Sequence, residues 1–366
     1  MSSQRFQALD VFRGLTICFM IIVNTGGDEY TFAPLLHANW HGFTPTDLVF
    51  PSFLFAVGNA MSFVLPKWES LPTSKVVLKI LKRTFLIFLL GFLMYWFPFV
   101  DHTANGWVFR PFDHTRILGV LQRIGLCYGI ASLMVYFLKP KWVFGITLFI
   151  LVAYKWVMSA YGDFTLEGNA ALKFDLWLMG PNHLYHGEGI AFDPEGVLST
   201  FPAIGNVVFG YFAGIYIQQK GKSFEGLTHL LLAGAACITL AYFWDSSFPI
   251  NKKLWTSSFV LYTVGIDLMI ISAIIYLVDI RQKNKYAWFF ETVGKNPLFI
   301  YLLSEVGVIL MWTIKVGDLP LYRWIFLNVF SYLGHYWASL AFALWWMLTC
   351  WLAGWWMDKK KWYVRV

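Results

Sequence analysis

The sequence predicts an all-α membrane protein, a polytopic bundle of about ten transmembrane helices with both termini cytoplasmic. Two observations favour this class. Hydrophobic residues make up 58% of the 366 residues and charged residues only 13%, whereas soluble domains carry about 25% charged residues. Several apolar segments also exceed the roughly 18 residues that suggest a spanning helix. We therefore expect residues 1–366 to form a single integral membrane domain.

The predicted spans follow one another with short polar connections, and their lengths fit helices of about 20 residues with some tilt. They cover residues 10–25, 47–65, 78–99, 117–137, 142–160, 198–218, 225–243, 256–279, 289–312 and 336–357. Residues 319–334 predict a short interfacial helix, with an eleventh span or a re-entrant segment as alternatives. The first apolar run lacks a small-residue cleavage site, so we expect a span there and not a cleaved signal peptide.

The distribution of positive charge predicts the orientation. With both termini inside, the inner segments hold seventeen Lys and Arg residues and the outer loops hold seven. This is the positive-inside bias of membrane proteins. This bias explains the net charge of +7 without any role in binding nucleic acid. We therefore expect the lipid bilayer as a partner, and no nucleic acid.

The connection between the first two spans is rich in titratable side chains. It contains His37-Ala-Asn-Trp40-His41-Gly-Phe-Thr44-Pro-Thr-Asp47 at the predicted outer edge of the membrane. Polar groups at such a boundary are costly and tend to be functional. An imidazole can take a proton from an ammonium or hydroxyl nucleophile near neutral pH. The segment therefore predicts an acid–base site.

Three residues are candidates for the chemistry of this site. His37 is the candidate base. Asp47 either fixes the tautomer of the imidazole or caps the second span, and the sequence leaves both roles open. Asn24, which ends the first span, is a candidate to orient a substrate or donate to a developing oxyanion. The candidate substrate contacts are Trp40, His41, Asp28, Glu29 and Glu188.

A metal site at this segment is the weaker interpretation. His37 and His41 are spaced i, i+4 and could bind zinc together with Asp47. However, no third ligand stands at a diagnostic spacing, and Gly42 and Pro45 interrupt a helix. We expect no metal.

Several ionisable residues fall within or against the predicted spans, where a charge at the centre costs about 2.5–3.5 kcal/mol on insertion scales. Asp10 and Arg13 lie three residues apart and predict a packing clamp, with a polar passage as the alternative. Arg123, which follows Gln122, fits either helix packing or contact with a buried anion.

Six segments, taken in chain order, carry a specific resemblance to a known family. They are Leu9-Asp10-Val-Phe12-Arg13-Gly14-Leu-Thr16, Ile22-Val-Asn24, His37-Ala-Asn-Trp40 with the following residues to Pro51, Gly119-Val-Leu-Gln122-Arg123, Phe192-Asp193-Pro-Glu195-Gly196 with the following residues to Gly205, and Pro249-Ile-Asn251-Lys252 with the following residues to Ser258. Through these segments the chain resembles the heparan-α-glucosaminide N-acetyltransferase family of transmembrane acyltransferases.

The resemblance implies acetyl transfer from cytosolic acetyl-CoA, the donor substrate, to the amino group of a glucosamine-type sugar on the outer face. It implies that His37 is the active-site histidine and Asn24 the neighbouring asparagine. The residues that we expect to contact the donor are Arg13, Gln122, Arg123 and Lys295. The large lumenal N-terminal region of the animal enzymes does not precede the first span, so we expect a bacterial-type member. It would lie in the inner membrane with His37 toward the periplasm.

Alternatives remain at the level of the sequence. An amino-sugar or N-acetylglucosamine transporter would use similar buried charges, and an O-acetyltransferase of an envelope glycan would use the same base. His37 either deprotonates the amine or is itself acetylated in a ping-pong step. The acceptor and the oligomeric state are open, with a homodimer as one alternative.

Overall fold

The structure, a computed structural model, describes residues 6–103, 106–282 and 285–364, and it is mainly helical. Within these residues the α-helices are α1 (Gln7–Asn24), α2 (Val49–Val64), α3 (Thr73–Trp96), α4 (Val120–Phe137), α5 (Pro140–Tyr161), α6 (Ala170–Met179), α7 (Val197–Lys220), α8 (Phe224–Asp245), α9 (Ser257–Ile275), α10 (Ala287–Gly294), α11 (Pro297–Thr313), α12 (Leu321–Ile325) and α13 (His335–Lys359). Two short antiparallel hairpins pair β1 (Val100–Thr103) with β2 (Gly106–Phe109) and β3 (Lys315–Val316) with β4 (Leu319–Pro320).

The helices confirm a membrane bundle but leave the number of spans open. Among the described residues, eight helices are long and apolar enough to cross a membrane, or nine if one bent pair forms a single span. Each of the ten predicted spans coincides with a helix or with that pair. The third coincides with α3, which carries Lys75, Lys79, Lys82 and Arg83 in its first half and is not one of the eight. Ten spans and cytoplasmic termini stay predictions.

Glycines allow the central helices to approach each other closely. A Cβ on Gly58 of α2 would lie 1.9 Å from the carbonyl oxygen of Val207, and one on Gly210 of α7 would lie 2.1 Å from that of Phe55. The same holds for Gly14 of α1 against the carbonyl of Phe290 in α10. Small residues of this kind let helix backbones pack directly in a membrane. The α2–α7 and α1–α10 pairs thus pack with their backbones in direct contact.

The predicted span over residues 289–312 is sharply bent, as in a broken span or a re-entrant loop. α10 and α11 meet at an angle of 82°. The break falls at Asn296-Pro297, because proline has no N–H for the preceding turn and disfavours helical geometry in the residue before it. The buried Asn296 side chain donates to the carbonyl of Trp362 at 2.9 Å and accepts from the N–H of Val364 at 2.9 Å. The chain after α13 therefore packs on the break.

Contacts between connections identify the two ends of the bundle. At the histidine end, the connections 25–48, 97–119, 162–196 and 246–256 are joined, for example by Gly42 N to Ile250 O at 2.8 Å and Ile117 N to His183 O at 3.2 Å. At the basic end, Lys295 Nζ lies 3.0 Å from Asp358 Oδ2 and Gln7 Nε2 lies 2.6 Å from Glu291 Oε2.

Candidate active site

Two loops lie side by side at the histidine end, the histidine loop (residues 25–48) and the lysine loop (residues 246–256). Each residue of 250–253 touches the histidine loop. The contacts are Ile250 O with Gly42 N at 2.8 Å, Asn251 Nδ2 with His41 Nδ1 at 3.3 Å, Lys252 Nζ with His37 Nδ1 at 3.0 Å, and Lys253 Nζ with Asn39 O at 2.9 Å. The candidate base therefore lies where the two loops meet.

The lysine loop is held in shape by its own buried residues. Asn251 accepts from the N–H of Leu254 at 2.8 Å, and its own N–H donates to Thr256 Oγ1 at 3.1 Å. Trp255 is 1% exposed and has a positive φ of 51°, which is uncommon for a bulky residue. Its indole N–H donates to Asn206 Oδ1 of α7 at 3.1 Å. The bundle thus fixes the loop that carries Lys252.

Asp47 serves both roles that the sequence left open. It forms a capping box with Thr44 at the start of the turn that leads into α2. Its Oδ2 accepts from the N–H groups of Ala38 and Thr44 at 3.1 and 3.0 Å. Its Oδ1 lies 2.7 Å from Nδ1 of His37. A carboxylate in this position accepts a hydrogen bond from Nδ1–H and so favours the tautomer that has its lone pair on Nε2.

The pair is asymmetric in exposure. The side chain of His37 is 44% exposed and that of Asp47 is 1% exposed. The carboxylate is thus fixed within the protein, while the imidazole is open to a substrate. An exposed imidazole whose tautomer is set by a buried carboxylate is suited to take a proton from a nucleophile.

Lys252 completes the site, and the sequence analysis did not assign it. Its Nζ lies 3.0 and 3.3 Å from the two ring nitrogens of His37 and 3.8 Å from Asp47 Oδ1. Burial lowers the pKa of Lys252, while Asp47 and Glu195 oppose that effect. An ammonium here can donate to an oxyanion that forms beside the imidazole.

A buried charge cluster lies behind Lys252. Arg116 donates to both oxygens of Asp193, at 2.8 and 2.6 Å, and to Glu195 at 2.6 Å. Its guanidinium also lies over the rings of Tyr95 and Tyr185. Burial favours the neutral form of Glu195, but Arg116 and Arg123 hold its pKa below the usual range. The cluster places a carboxylate charge within electrostatic reach of Lys252.

Of the predicted substrate contacts, Trp40, His41 and Glu188 lie around this site. The Trp40 indole donates to Phe164 O at 2.7 Å, so its polar edge is engaged. Burial lowers the pKa of His41. Glu188 lies 2.5 Å from Lys253 Nζ, which in turn contacts the histidine loop.

Three other predicted site residues, Asn24, Asp28 and Glu29, have different neighbours. Asn24 donates to Glu305 Oε1 of α11 at 3.3 Å, and the described residues include no hydrogen bond between Asn24 and His37. Asp28 and Glu29 line a separate cavity with Arg323 and His335. They come before a turn at residues 33–35, which directs the two parts of the loop to different neighbours. Among the described residues, none of these three side chains forms a hydrogen bond or an ion pair with the imidazole.

A second cavity, the basic-end cavity, has a volume of 540 Å³. Its charged residues are Arg13, Lys67, Arg83 and Lys295, and it continues between apolar side chains of α2 and α4 as far as Phe53 and Leu121. Arg13 pairs with Asp10, as the predicted clamp requires. The cavity thus has a cationic end and an apolar interior.

Two predicted donor contacts do not line this cavity. Arg123 is fully buried, donates to Ser199 Oγ and to Gly196 O at 3.2 Å, and lies over Trp255. Gln122 is also fully buried and donates to Ile117 O at 3.0 Å. Both side chains point into the packing around the start of α4, so the structure supports the packing role that the sequence left open for Arg123.

Metal ligation gains no support from the geometry. Within residues 6–103, 106–282 and 285–364, no group of three or more His, Cys, Asp or Glu side chains is arranged to hold a metal ion. The expectation of no metal stays a prediction.

Comparisons with known proteins agree with the resemblance. The family model described as heparan-alpha-glucosaminide N-acetyltransferase, catalytic, matches residues 5–240. The mouse heparan-alpha-glucosaminide N-acetyltransferase is 28% identical over 366 residues, covering 83% of this chain and 54% of the relative. The human protein of the same name is 27% identical over 363 residues, covering 82% and 53%. The chain thus spans about half the length of these relatives.

Proposed function

Because the chain belongs to the heparan-alpha-glucosaminide N-acetyltransferase family, we propose that it transfers acetyl groups across a membrane. The donor is acetyl-CoA, bound from the basic end, and the acceptor is the amino group of a glucosamine-type sugar at the histidine end. The 2.7 Å contact between His37 and Asp47 carries this proposal. The name of the two relatives, heparan-alpha-glucosaminide N-acetyltransferase, supports the acyl transfer and the sugar amine.

His37 acts at Nε2. The amine nitrogen attacks the thioester carbonyl and loses its proton to Nε2, the carbon–sulfur bond breaks, and the departing thiolate takes that proton from the imidazolium. Asp47 holds the Nδ1 proton throughout. Lys252 donates to the carbonyl oxygen as negative charge develops there. A ping-pong route, in which Nε2 itself attacks the thioester, uses the same geometry.

The donor enters through the basic-end cavity. Coenzyme A combines a phosphate-rich nucleotide with a thin, less polar arm that ends in the thioester. Arg13, Lys67, Arg83 and Lys295 suit the phosphates, and the apolar interior suits the arm. The cavity ends at Phe53 and Leu121, near the starts of α2 and α4. These starts adjoin the connections at the histidine end, so the thioester is directed toward His37.

The orientation follows from the charge distribution. The basic end carries most of the Lys and Arg residues and is the cytoplasmic side under the positive-inside bias. We therefore assign His37 to the outer side of a bacterial inner membrane. We also treat residues 1–366 as one domain, since α10 and α13, which lie beyond the matched residues, pack against α1.

Vesicles that contain the purified protein test the proposal. With acetyl-CoA on the basic side and glucosamine on the other, acetylated glucosamine should form on the acceptor side and coenzyme A should be released on the donor side. Uptake of unmodified glucosamine in the absence of acyl-CoA would instead identify a transporter. Incubation with labelled acetyl-CoA alone separates the two routes, since only ping-pong leaves acetyl on the protein.

A further inference from the structure

A cavity of 500 Å³ at the histidine end is not used by the proposed reaction. It lies between the histidine loop and the segment that leads into α13, and His37, Asp47 and Lys252 do not line it. Asp28, Glu29, Tyr30, Arg323 and His335 are among its lining residues. We name it the Arg323 cavity.

Opposite charges face this cavity without neutralising each other. Asp28 and Glu29 lie on one wall and Arg323 on the other. In the part of the chain that the structure describes, no carboxylate lies within the 4.0 Å of an ion pair from the Arg323 guanidinium. Asp28 Oδ1 accepts the N–H of Tyr30 at 3.0 Å, which fixes the carboxylate. The cavity therefore suits a ligand that carries both an anionic and a cationic group.

The wall that carries Arg323 has the character of a membrane interface. α12 continues through a π-helical turn at Phe326–Phe330 and a 3₁₀ turn at Ser331–Leu333. Large side chains on this segment and the start of α13 are exposed, among them Val329, Tyr332, Leu333 and Trp337 at 56%, 81%, 57% and 64%. Exposed apolar and aromatic side chains in a membrane protein face lipid, and Tyr and Trp favour the headgroup level.

Aromatic contacts hold the acidic wall against α13. The Tyr30 ring lies 4.3 Å from the His335 ring and 5.8 Å from that of Tyr336, and the Phe32 ring lies 5.2 Å from that of Trp337. These ring contacts connect the histidine loop to the start of α13, so they hold the two walls of the cavity together.

We propose that the Arg323 cavity binds the headgroup of a phospholipid with a primary ammonium, of the phosphatidylethanolamine class. Arg323 contacts the phosphate, since a guanidinium matches phosphate oxygens. Asp28 and Glu29 accept hydrogen bonds from the ammonium, and the acyl chains run along the exposed apolar face. A quaternary ammonium cannot donate these hydrogen bonds, and an anionic headgroup would be repelled by the two carboxylates.

Lipid binding to the purified, delipidated protein tests this site. Phosphatidylethanolamine, phosphatidylcholine and phosphatidylglycerol are titrated separately, together with soluble glycerophosphoethanolamine, and bound lipid is read by native mass spectrometry. We expect the ethanolamine lipid to bind about tenfold more tightly than the other two lipids. Equal affinities for the three lipids would overturn the proposal. Soluble glycerophosphoethanolamine binding as tightly as the lipid would show a site for an aqueous ligand instead, and would also overturn it.

Variants separate the two walls. Arg323→Gln should weaken the ethanolamine lipid about tenfold, while Lys315→Gln, which removes an exposed charge near the same segment, should not. Asp28→Asn with Glu29→Gln should retain lipid binding but lose the preference over phosphatidylcholine. If neither wall variant changes the affinities, the proposal fails. Acetyl transfer is measured separately, so failure of this site and failure of the proposed reaction are distinguishable.

Discussion

Nδ1 of His37 lies 2.7 Å from Oδ1 of Asp47, and the imidazole is 44% exposed while the carboxylate is 1% exposed. Asp47 also accepts two backbone N–H groups through Oδ2. The backbone thus fixes the carboxylate, and the carboxylate fixes the tautomer of the base. In the proposed reaction, proton transfer at Nε2 depends on this chain of hydrogen bonds.

Asp47→Asn should abolish most of the activity without unfolding the protein. The amide oxygen can still accept from the backbone, which leaves the NH₂ group facing Nδ1. His37 then carries its proton on Nε2 and cannot act as a base. We expect kcat to fall about a thousandfold or more, with a small change in melting temperature. Asp318→Asn, an exposed aspartate on the same face, is the control and should retain activity. A normal kcat in Asp47→Asn would exclude the tautomer role.

Lys252→Met should slow acetyl transfer. The ammonium lies 3.0 Å from the imidazole and, in the proposed reaction, donates to the carbonyl oxygen as negative charge develops there. Loss of one such donor should lower kcat about a hundredfold or more. Lys253→Met removes the same charge from a side chain that contacts Asn39 and Glu188, and it should lower kcat much less. Equal losses of kcat in both variants would contradict a direct effect of Lys252.

Lys67→Ala and Arg83→Ala should weaken donor binding. Both side chains line the basic-end cavity. Each substitution therefore removes one positive charge from the proposed phosphate site. We expect KM for acetyl-CoA to rise about tenfold in each variant, with KM for the sugar unchanged. Lys141→Ala, at an exposed lysine in the first turn of α5, is the control. A rise in the KM for the sugar alone would contradict binding of acetyl-CoA in the basic-end cavity.

Asp175→Asn should stabilise the protein at alkaline pH. Asp175 lies in α6, which is too short to span a membrane, and burial raises its pKa from 3.8 to about 7. Between these values the folded state keeps a proton that the unfolded chain has released, so stability falls as pH rises. Asparagine stays neutral and avoids this loss. The stability difference in favour of the variant should grow by roughly 2–3 kcal/mol between about pH 5 and about pH 8.

Thermal unfolding of detergent-purified wild type and variant at both pH values measures this effect. Asp163→Asn is the control, because Asp163 is exposed at a loop and its pKa is lowered, chiefly by Thr165. A stability gain from Asp175→Asn that is equal at the two pH values would show that the buried charge is not its origin.

The sequence predicted the helices well, because the apolar runs are long and the polar connections short. It missed the 82° break before α11, although Asn296-Pro297 was visible, because the hydropathy on both sides is continuous. It predicted His37 and Asp47 as site residues because both occur in one short segment, and their side chains lie in contact. Lys252 contacts them from 205 residues beyond Asp47, and no local pattern reports such a distance. Two signals were usable: the family resemblance of the segment that contains Lys252, and a lysine pair in a predicted outer loop, against the positive-inside bias.

The fates of Asn24 and Arg123 show a second limit of the sequence. Both are polar residues in or beside apolar runs. This position predicts that each side chain needs a polar partner, but it does not identify that partner. Glu305 contacts Asn24, and Ser199 with Trp255 engages Arg123. These partners lie on α11, α7 and the lysine loop, so only the packing of the bundle determines them.

The rate of acetyl transfer by His37→Ala tests the proposed chemistry most directly. Purified wild type, His37→Ala and His186→Ala are given acetyl-CoA and glucosamine, and acetylated glucosamine is measured over time. His186 is an exposed histidine at the same end of the bundle. We expect His37→Ala to lose at least about a hundredfold in rate with an unchanged melting temperature, and His186→Ala to match the wild type. Wild-type turnover by His37→Ala would contradict the assignment of His37 as the catalytic base.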